Sequence, residues 1–387
     1  MPLSTSADRL ARQLAFLTAA DTLKSVTRTN VIADGSRLEN AADHSWHLCL
    51  WALIFADQSN GANLARVIPM LLLHDLAEID AAPADHLAQD AEEARRARQA
   101  RVEHLFALLP ADQAVAFRTL WDEFEEGQST DARFARTLEK AAPMFLELSN
   151  PALGPAERDI LHDIQTTGPF GHLKNDWPDV YQLAHELLHR RQPVVAEPLA
   201  ARMRFVMEAD RLKTVLRGTT ICDGSRRENS AEHSWHIMLW ALTLQEHCAK
   251  PVHIDRVLTM LCLHDLVEID AGDHPIHGSF DAAAVAAEEQ AAADRIFGLL
   301  PAHQRAPLRL IWEEFEAAET SDAVFAKALD RAQPLVCNLE SGGGSWRDYD
   351  VTRDQIETRV AAKIKRGAPA LWDGLRPAID AWFAANT

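Results

Sequence analysis

The chain has 387 residues, of which 47% are hydrophobic and 25% are charged, enough apolar material for one large core or two ordinary ones. Its formal net charge of −18 disfavours DNA or RNA as a partner, because an acidic surface repels a polyanion. The longest apolar run, residues 67–73, is far shorter than the ~20 residues that span a bilayer, and the start lacks a secretory signal, so we expect a cytosolic protein without a membrane segment.

An internal repeat organises the chain. Residues 34–53 return as residues 223–242 with 15 of 20 positions identical, and the block LLLHDLAEIDA at residues 71–81 returns as LCLHDLVEIDA at residues 261–271. Order and spacing are kept over ~190 residues, which indicates a duplicated domain and excludes a solenoid of short units.

The boundary between the two copies is predicted in a segment that contains two prolines. Residues 192–198 read QPVVAEP, a composition typical of a linker. We therefore predict one domain over residues 1–195 and a second over residues 196–387.

The residue pattern within each copy is helical, because Ala, Leu, Glu and Arg dominate and apolar residues recur at intervals of three and four. An Asp-Gly turn at residues 34–35 separates the first two helices. The predicted first-copy helices cover residues 8–26, 40–57, 63–79, 88–109, a stretch after Pro110, and 131–149, and the last has its counterpart at residues 322–339. The fold class is therefore predicted to be all-α.

Each copy carries two histidines and two acids in the same order. In the second copy these are His233, His264, Asp265 and Asp330, and in the first they are His44, His74, Asp75 and Glu139. Adjacent His and Asp residues on a helix point about 100° apart, yet both can reach one point beside the end of the helix. Neutral imidazoles and carboxylates form a donor set that suits Mn²⁺, Co²⁺, Fe²⁺ or Zn²⁺, and open positions for water suit hydrolysis. The sequence thus predicts a divalent-metal site in the second copy and a degenerate candidate site in the first.

This order of residues resembles that of the HD-domain phosphohydrolases. The segments RRENSAEHSWH, LCLHDLVEIDAGDHP and FAKALDRAQP are similar to the 5′-deoxynucleotidase branch of that superfamily, the YfbR-like and HDDC2-like proteins. The spacings of 31 residues from His233 to His264 and 65 from Asp265 to Asp330 carry the resemblance, which covers most of each copy. It implies a tandem of helical HD-domain bundles.

The resemblance also implies roles for three further residues of the second copy. Glu268 would act in proton transfer, and its position four residues after His264 predicts that it lies one turn further along the same helix. Asp273 would be a further acid near the substrate. Arg217 would contact phosphate, which a guanidinium fork can bind through two oxygens, and Arg28 is its first-copy counterpart.

Several neighbouring residues have a structural explanation beside a functional one. His47 and His236 lie three residues after the first histidine of each copy, so we expect them to support that ligand or to pack. Trp235 could line a base pocket, although core packing is favoured. Arg226 and Glu228 resemble the family's loop before the first ligand, or they pair with each other.

The first copy departs from the family pattern at two chemical positions. Glu139 replaces Asp330, and the extra methylene displaces the carboxylate by more than the ~0.5 Å that a productive site tolerates. Pro83 replaces Asp273, which removes an acid. Residues 341–349 (SGGGSWRDY), expected to form a flexible loop beside the substrate, have no first-copy counterpart. We expect the second copy to be the working enzyme and the first to bind metal weakly or to serve a structural or regulatory role.

The function implied by the resemblance is that of a metal-dependent phosphomonoesterase, which hydrolyses deoxynucleoside 5′-monophosphates to nucleoside and phosphate. Two alternatives stay open. A di-iron oxygenase of the same fold would use additional histidines in this region, such as His274 and His277, and a non-catalytic module would sense a nucleotide without turning it over. Because members of this branch commonly form dimers, the tandem could be an intramolecular pseudo-dimer or form a homo-oligomer.

Overall fold

A computed structural model describes residues 6–81, 91–193, 195–278 and 280–386. These residues form helices and two antiparallel sheets of two strands each, one in each copy. The prediction of a tandem all-α fold is confirmed. Among the described residues there is no helix with the length and apolar character needed to cross a bilayer.

The elements follow the same order in the two copies through the sixth helix of the first. The first copy contains α1 (Ser6–Ala20), β1 (Thr27–Val31), β2 (Leu38–Asn40), α2 (Ala41–Ile54), α3 (Leu64–Leu73), α4 (Ala91–Phe106), α5 (Ala111–Glu126), α6 (Thr130–Ser149), α7 (Pro155–Thr166), α8 (Leu173–Asp176) and α9 (Pro178–Leu188). The second contains α10 (Glu197–Ala209), β3 (Leu216–Thr220), β4 (Arg227–Asn229), α11 (Ser230–Leu244), α12 (Ile254–Leu263), α13 (Glu268–Ala271), α14 (Ala282–Gly298), α15 (Ala302–Ala317), α16 (Ser321–Glu340), α17 (Gly344–Asp348), α18 (Arg353–Ile356), α19 (Ala362–Gly367) and α20 (Pro369–Asn386).

The predicted helices are present, but two of them change character near their ends. The helix predicted over residues 8–26 is α1 followed by a 3₁₀ turn, Asp21–Ser25, and the helix predicted over residues 63–79 stays α-helical only to Leu73 and then tightens into a 3₁₀ turn, His74–Glu78. The two hairpins were not predicted, because strands of three to five residues are too short to show a period. In the first copy the hairpin is built around the predicted Asp-Gly turn.

Asparagine caps fix the start of the helix that carries the first histidine of each copy. The side chain of Asn40 accepts a backbone N–H at the start of α2, and that of Asn229 does the same for α11. In both helices the acid at the third position accepts the N–H of the cap in return, which completes a capping box. His44 and His233 follow directly, at the beginning of two almost wholly buried helices.

The hydrophobic core is shared between the copies because α2 and α11 pack against each other at its centre. The indole N–H of Trp46 donates to the carbonyl of Cys262 at 3.0 Å, and that of Trp235 donates to the carbonyl of Leu72 at 3.2 Å. The indole N–H of each tryptophan thus has its hydrogen-bond acceptor in the other copy. Trp235 is 0% exposed, which agrees with the expected core packing.

The first helix of each copy packs on the other copy. We call residues 6–25 the first arm and residues 197–214 the second arm. The helix of the first arm, α1, packs against α11, and the helix of the second arm, α10, packs against α2. A ring nitrogen of His236 bonds to the carbonyl of Leu17 at 2.9 Å, and His47 bonds to that of Val206 at 2.8 Å. Each arm also packs on its own copy, α1 against α4 and α10 against α14, so it lies between the two copies. We call this arrangement, in which each arm also reaches the other copy, the exchange of arms.

We expect Trp235→Ala to lower the free energy of unfolding of the whole chain by about 3–5 kcal/mol, because it empties a large core site and leaves the carbonyl of Leu72 without its donor. Urea denaturation followed by far-UV circular dichroism would measure this. Leu310→Ala, at a site that is 60% exposed, is the control and should change stability by less than ~0.5 kcal/mol. Loss of only half of the helical signal in a separate early transition would contradict a shared core.

Candidate functional site

Four side chains singled out in the sequence meet in the second copy, although they come from three separate parts of the chain. His233 lies on α11, Asp330 on α16, and His264 with Asp265 on the turn after α12. The donor atoms of His233, His264 and Asp330 lie within 4.8 Å of one another, and all three residues are buried. Asp265 is not one of these three mutually close residues, but its Oδ1 lies 2.9 Å from Nε2 of His264, next to the cluster. We call these four residues the ligand group.

The orientation of His264 shows that the ligand group fits a cation. Its Nδ1 is 2.9 Å from the carbonyl of Leu261, and because a carbonyl only accepts, Nδ1 carries the proton. Nε2 therefore turns its lone pair to the group, where it meets the acceptor oxygen of Asp265 and has no hydrogen-bond donor among the described residues. A buried acceptor without a donor is destabilising, and a divalent cation would satisfy it. Imidazole and carboxylate donors together suit Mn²⁺, Fe²⁺, Co²⁺ or Zn²⁺.

The charges around Arg217, on β3, also favour a cation. Its guanidinium nitrogens lie 2.7 Å from Asp265, 3.7 Å from Glu268, 3.8 Å from Asp273 and 3.9 Å from Asp330. Burial opposes the charge of Arg217, but these acids outweigh burial and hold its pKa well above the usual value. Arg331 adds a second positive charge 3.7 Å from Asp330. Two positive charges against four carboxyl groups still leave an excess of acidic groups in a buried site, which added positive charge would balance.

Two neighbouring carboxyl groups of this site titrate in opposite directions. Burial disfavours the charge of Asp265, yet the positive charge around it, including that of Arg217, outweighs burial and lowers the pKa of Asp265 to about 2. Burial and the charge of Asp265 together raise the pKa of Glu268 well above its usual value. Oε2 of Glu268 accepts the hydroxyl hydrogen of Ser230 at 2.5 Å, so Oε1 is the oxygen that can carry the proton. Such divergent pKa values are typical of an acid and a charged ligand in one active site.

The helix before His264 does not continue to Glu268, which corrects the expectation that the two residues lie on one helix. α12 ends at Leu263, and α13 begins at Glu268. Between them the backbone bonds span three residues, as in the 2.9 Å bond from the N–H of Glu268 to the carbonyl of Asp265. This tightened turn changes the side-chain directions that a regular α-helix would give. Glu268 nevertheless reaches the site through its contacts with Arg217 and Ser230.

Asp273 ties the loop after α13 to the strand that carries Arg217. Its Oδ2 accepts the backbone N–H of Gly218 at 3.0 Å. The chain enters this loop through Gly272, whose φ of +77° favours glycine. Asp273 thus lies beside Arg217, with Oδ1 3.8 Å from the guanidinium group.

A cavity of about 70 Å³ adjoins the ligand group and is lined in part by Asp330, Trp346 and Tyr349. The last two belong to residues 341–349, which the sequence predicted to be a flexible loop. The structure has the short helix α17 there, and Trp346 is buried against the ring of Trp382 at a centroid distance of 5.0 Å. Aromatic packing therefore makes this segment a fixed wall of the cavity.

His274 and His277 also line this cavity, but they lie outside the ligand group. Among the described residues, the cluster that contains His233 and His264 is completed by Asp330. The second iron of a di-iron site would need these two histidines as ligands, so the geometry gives the oxygenase alternative no support.

Glu228 is a buried residue of the site whose role the sequence left undecided. It does not pair with Arg226, which instead pairs with Glu232 at 2.6 Å. Oε2 of Glu228 lies 3.3 Å from Nδ1 of His233 and 3.7 Å from Nε of Arg217. Glu228 can therefore orient a ligand and the arginine together. Its one signal in the sequence is the recurrence of Arg-x-Glu-Asn before the first histidine of both copies.

Comparison with protein families matches an HD domain twice, to residues 20–179 and to residues 209–372. Together the two matches cover most of the chain. The chain belongs to the HD domain family. The matched segments contain the ligand group of the second HD domain and its counterpart in the first.

Three similar proteins each align with about half of this chain. 5′-Deoxynucleotidase HDDC2 of Bos taurus is 31% identical over 205 residues, which cover 50% of this chain and 94% of the relative. The protein of the same name from Homo sapiens is 31% identical and covers 47% of this chain and 88% of its own. A solved structure, described as a predicted metal-dependent phosphohydrolase from Magnetospirillum magnetotacticum, is 47% identical, with a TM-score of 0.46, and covers 48% of this chain and 96% of its own. Each relative corresponds to about half of this chain.

The first HD domain brings together three of the four corresponding side chains. Donor atoms of His44, His74 and Asp75 lie within 4.8 Å of one another, and Asp75 binds Arg28 at 2.7 Å. Glu139 is not part of this cluster and is only half-buried, whereas Asp330 is buried. The predicted replacement of Asp273 by Pro83 lies outside the described residues.

The counterpart of Glu268 in the first HD domain, Glu78, has different partners. Glu78 forms a close ion pair with Arg98. Ala41 stands where Ser230 donates its hydroxyl hydrogen to Glu268 in the second domain. The two domains therefore share a partial ligand cluster and differ in the groups that would move a proton.

The raised pKa of Glu268 predicts a pH-dependent gain in stability for Glu268→Gln in protein freed of metal with a chelator. Because the folded-state pKa is raised, the stabilisation from this carboxyl group is complete below its unfolded-state pKa and is lost as the pH rises through the folded-state value. Glutamine cannot ionise, so the variant should unfold at higher urea concentration than the wild type at pH 8, and the difference should shrink towards pH 4.

The matched control is Glu78→Gln in the first HD domain, which breaks the ion pair with Arg98 and should lower stability at pH 8 by at most ~1 kcal/mol. A stability difference for Glu268→Gln that does not vary between pH 4 and pH 8 would contradict the raised pKa.

Proposed function

We propose that the chain is a metal-dependent phosphohydrolase whose second HD domain hydrolyses deoxynucleoside 5′-monophosphates to nucleoside and phosphate. The observation that carries the proposal is the buried ligand group with its unpartnered imidazole nitrogen beside a buried arginine and a cavity. The names of the relatives with about 30% identity supply the substrate class.

His233, His264, Asp265 and Asp330 would hold one divalent cation, and Mn²⁺, Co²⁺, Fe²⁺ and Zn²⁺ all suit these donors. When bound, the cation supplies the charge that stabilises phosphoryl oxygens and makes a nearby water molecule more acidic. Arg217 presents guanidinium N–H groups to the phosphate, held in place by the 2.7 Å contact with Asp265. Asp273 fixes the strand behind it through the N–H of Gly218.

Glu268 would hold the proton that the reaction needs. Cleavage of a phosphomonoester requires a proton for the departing sugar oxygen, and a carboxyl group with a raised pKa can hold one at neutral pH. The hydroxyl of Ser230 orients the carboxyl group by donating to Oε2, which leaves Oε1 to deliver the proton.

The charge of the site supports a small phosphorylated substrate. Residues of α17 form one wall of the cavity, and the formal charge of −18 disfavours a nucleic-acid polymer. Local positive charge, from Arg217 and the cation, would attract the phosphate.

We propose that the first HD domain does not catalyse this reaction. Its Glu139 lies outside the ligand cluster, and its Glu78 is paired with Arg98. With Asp75 as its one carboxylate, the first cluster would bind a cation more weakly than the ligand group, which has both Asp330 and Asp265. The ion pair with Arg98 would compete with proton transfer by Glu78.

We expect the double variant His264→Ala/Asp265→Ala to lose more than ~100-fold in activity, because two ligands are removed. Loss of a residue that only supports a metal ligand typically costs ~10–100-fold. The matched variant His74→Ala/Asp75→Ala should keep most of the rate. Phosphate release from deoxynucleotides and ribonucleotides, each with Mn²⁺, Co²⁺, Fe²⁺ or Zn²⁺, would measure both.

The reverse result would assign catalysis to the first HD domain. No phosphate release by the wild-type protein from any nucleotide with any of these metals would contradict the proposed activity and favour a nucleotide-sensing module.

A further inference from the structure

Two lysines at equivalent positions of the exchanged arms are completely buried. The side chains of Lys24 in the first arm and Lys213 in the second are both 0% exposed. Buried lysine is rare and requires compensating partners. Each of the two finds them partly in its own arm and partly in the other HD domain.

The ammonium group of Lys24 joins the first arm to the second HD domain. Nζ lies 2.7 Å from Oε1 of Glu228 and 3.0 Å from Nδ1 of His236, and it forms a close ion pair with Asp21 of its own arm. Burial opposes the charge, but Asp21 and Glu228 outweigh burial and raise the pKa of Lys24 well above its usual value, so the lysine is charged.

Glu228 contacts both Lys24 and residues of the active site. While Oε1 faces Lys24, Oε2 lies 3.3 Å from Nδ1 of His233 and 3.7 Å from Nε of Arg217. The amide of Gln333 supports the same arrangement, because it donates to Oε1 of Glu228 at 2.9 Å and its own oxygen lies 3.1 Å from Nδ1 of His233. An acceptor at Nδ1 fixes the tautomer in which Nε2 can bind a metal.

The first HD domain has the same arrangement, with a lysine from the second arm. Nζ of Lys213 lies 2.7 Å from Oε1 of Glu39, and Oε2 of Glu39 lies 3.0 Å from Nδ1 of His44 and 3.5 Å from Nε of Arg28. Each arm thus supplies a lysine to the site of the other HD domain, and the site that Lys24 supports is the one with the complete ligand group.

We propose that Lys24 is a positioning residue for the second HD domain: the first arm completes that active site by holding Glu228 against His233 and Arg217. The inference rests on the proposed function of the second domain. It gives the first half of the chain a role that does not need its own catalysis, because its arm carries the lysine. Without Lys24, the nearest remaining cation for Glu228 is Arg217, which would be drawn away from Asp265 and the phosphate.

The test compares Lys24→Met with Lys213→Met. Both substitutions remove one buried ammonium group from the same kind of carboxylate and imidazole partners, so their structural costs should match. The direct readout is the affinity for Mn²⁺ by isothermal titration calorimetry, with His74→Ala in every protein so that the second HD domain provides the remaining site. We expect Lys24→Met to weaken Mn²⁺ binding ~10–100-fold, the loss typical of a residue that orients a ligand, and Lys213→Met to leave it unchanged.

Equal effects of the two substitutions, or no effect of Lys24→Met, would overturn the inference. Because Mn²⁺ affinity is measured without substrate, the inference can fail or hold separately from nucleotide hydrolysis. If Lys24→Met does not fold, Lys24→Met/Glu228→Gln removes both buried charges together and restores their balance. Mn²⁺ binding that stays weak in the folded double variant would support positioning, and wild-type affinity would show that the pair serves only to balance charge.

Discussion

Buried carboxyl groups outnumber the positive charges that meet them at the centre of the second HD domain. Four acids lie within 3.9 Å of Arg217, and Glu228 adds a fifth at 3.7 Å. Such a cluster is stable only when added charge or protons compensate it. The raised pKa of Glu268 and the fit of a divalent cation both follow from this one constraint. In the proposed reaction they would give the site an acid and a Lewis-acid position.

Buried charges also link the two halves of the chain, because each arm places a lysine beside carboxylates of the other half. Neither lysine could remain buried in its own half alone, since the second carboxylate that balances it belongs to the other half. Because α2 and α11 pack against each other, the two copies form one structural unit, although Glu139, the counterpart of Asp330, lies outside the cluster of the first copy. Duplication followed by loss of catalytic residues in one copy is compatible with this design, because the arm, its lysine and the core contacts are all retained.

The sequence predicted the fold and the ligand group because both are encoded in repeated, regular patterns. The histidines and acids recur at the same spacings in two copies, and the helices that carry them have apolar residues at helical intervals. The contact between Lys24 and Glu228 could not be predicted in this way. The two residues lie 204 positions apart in the sequence and meet only because the first arm reaches the second HD domain. The break after Leu263 was missed for a different reason: the turn that tightens there contains no glycine or proline to mark it. The position of the Glu139 carboxylate depends on how far its side chain reaches. The sequence indicated that the longer side chain would not fit the position of Asp330, but it could not predict where the carboxylate lies.

The most direct test of the account is an anomalous difference map from crystals of the chain grown with Mn²⁺. We predict a strong peak about 2 Å from Nε2 of His233 and Nε2 of His264, with oxygens of Asp265 and Asp330 at similar distances. The corresponding position near His44 and His74 should show a weaker peak. Absence of density at the ligand group, with Mn²⁺ bound instead at another buried cluster such as Asp21, Cys222 and Cys337, would contradict the central claim.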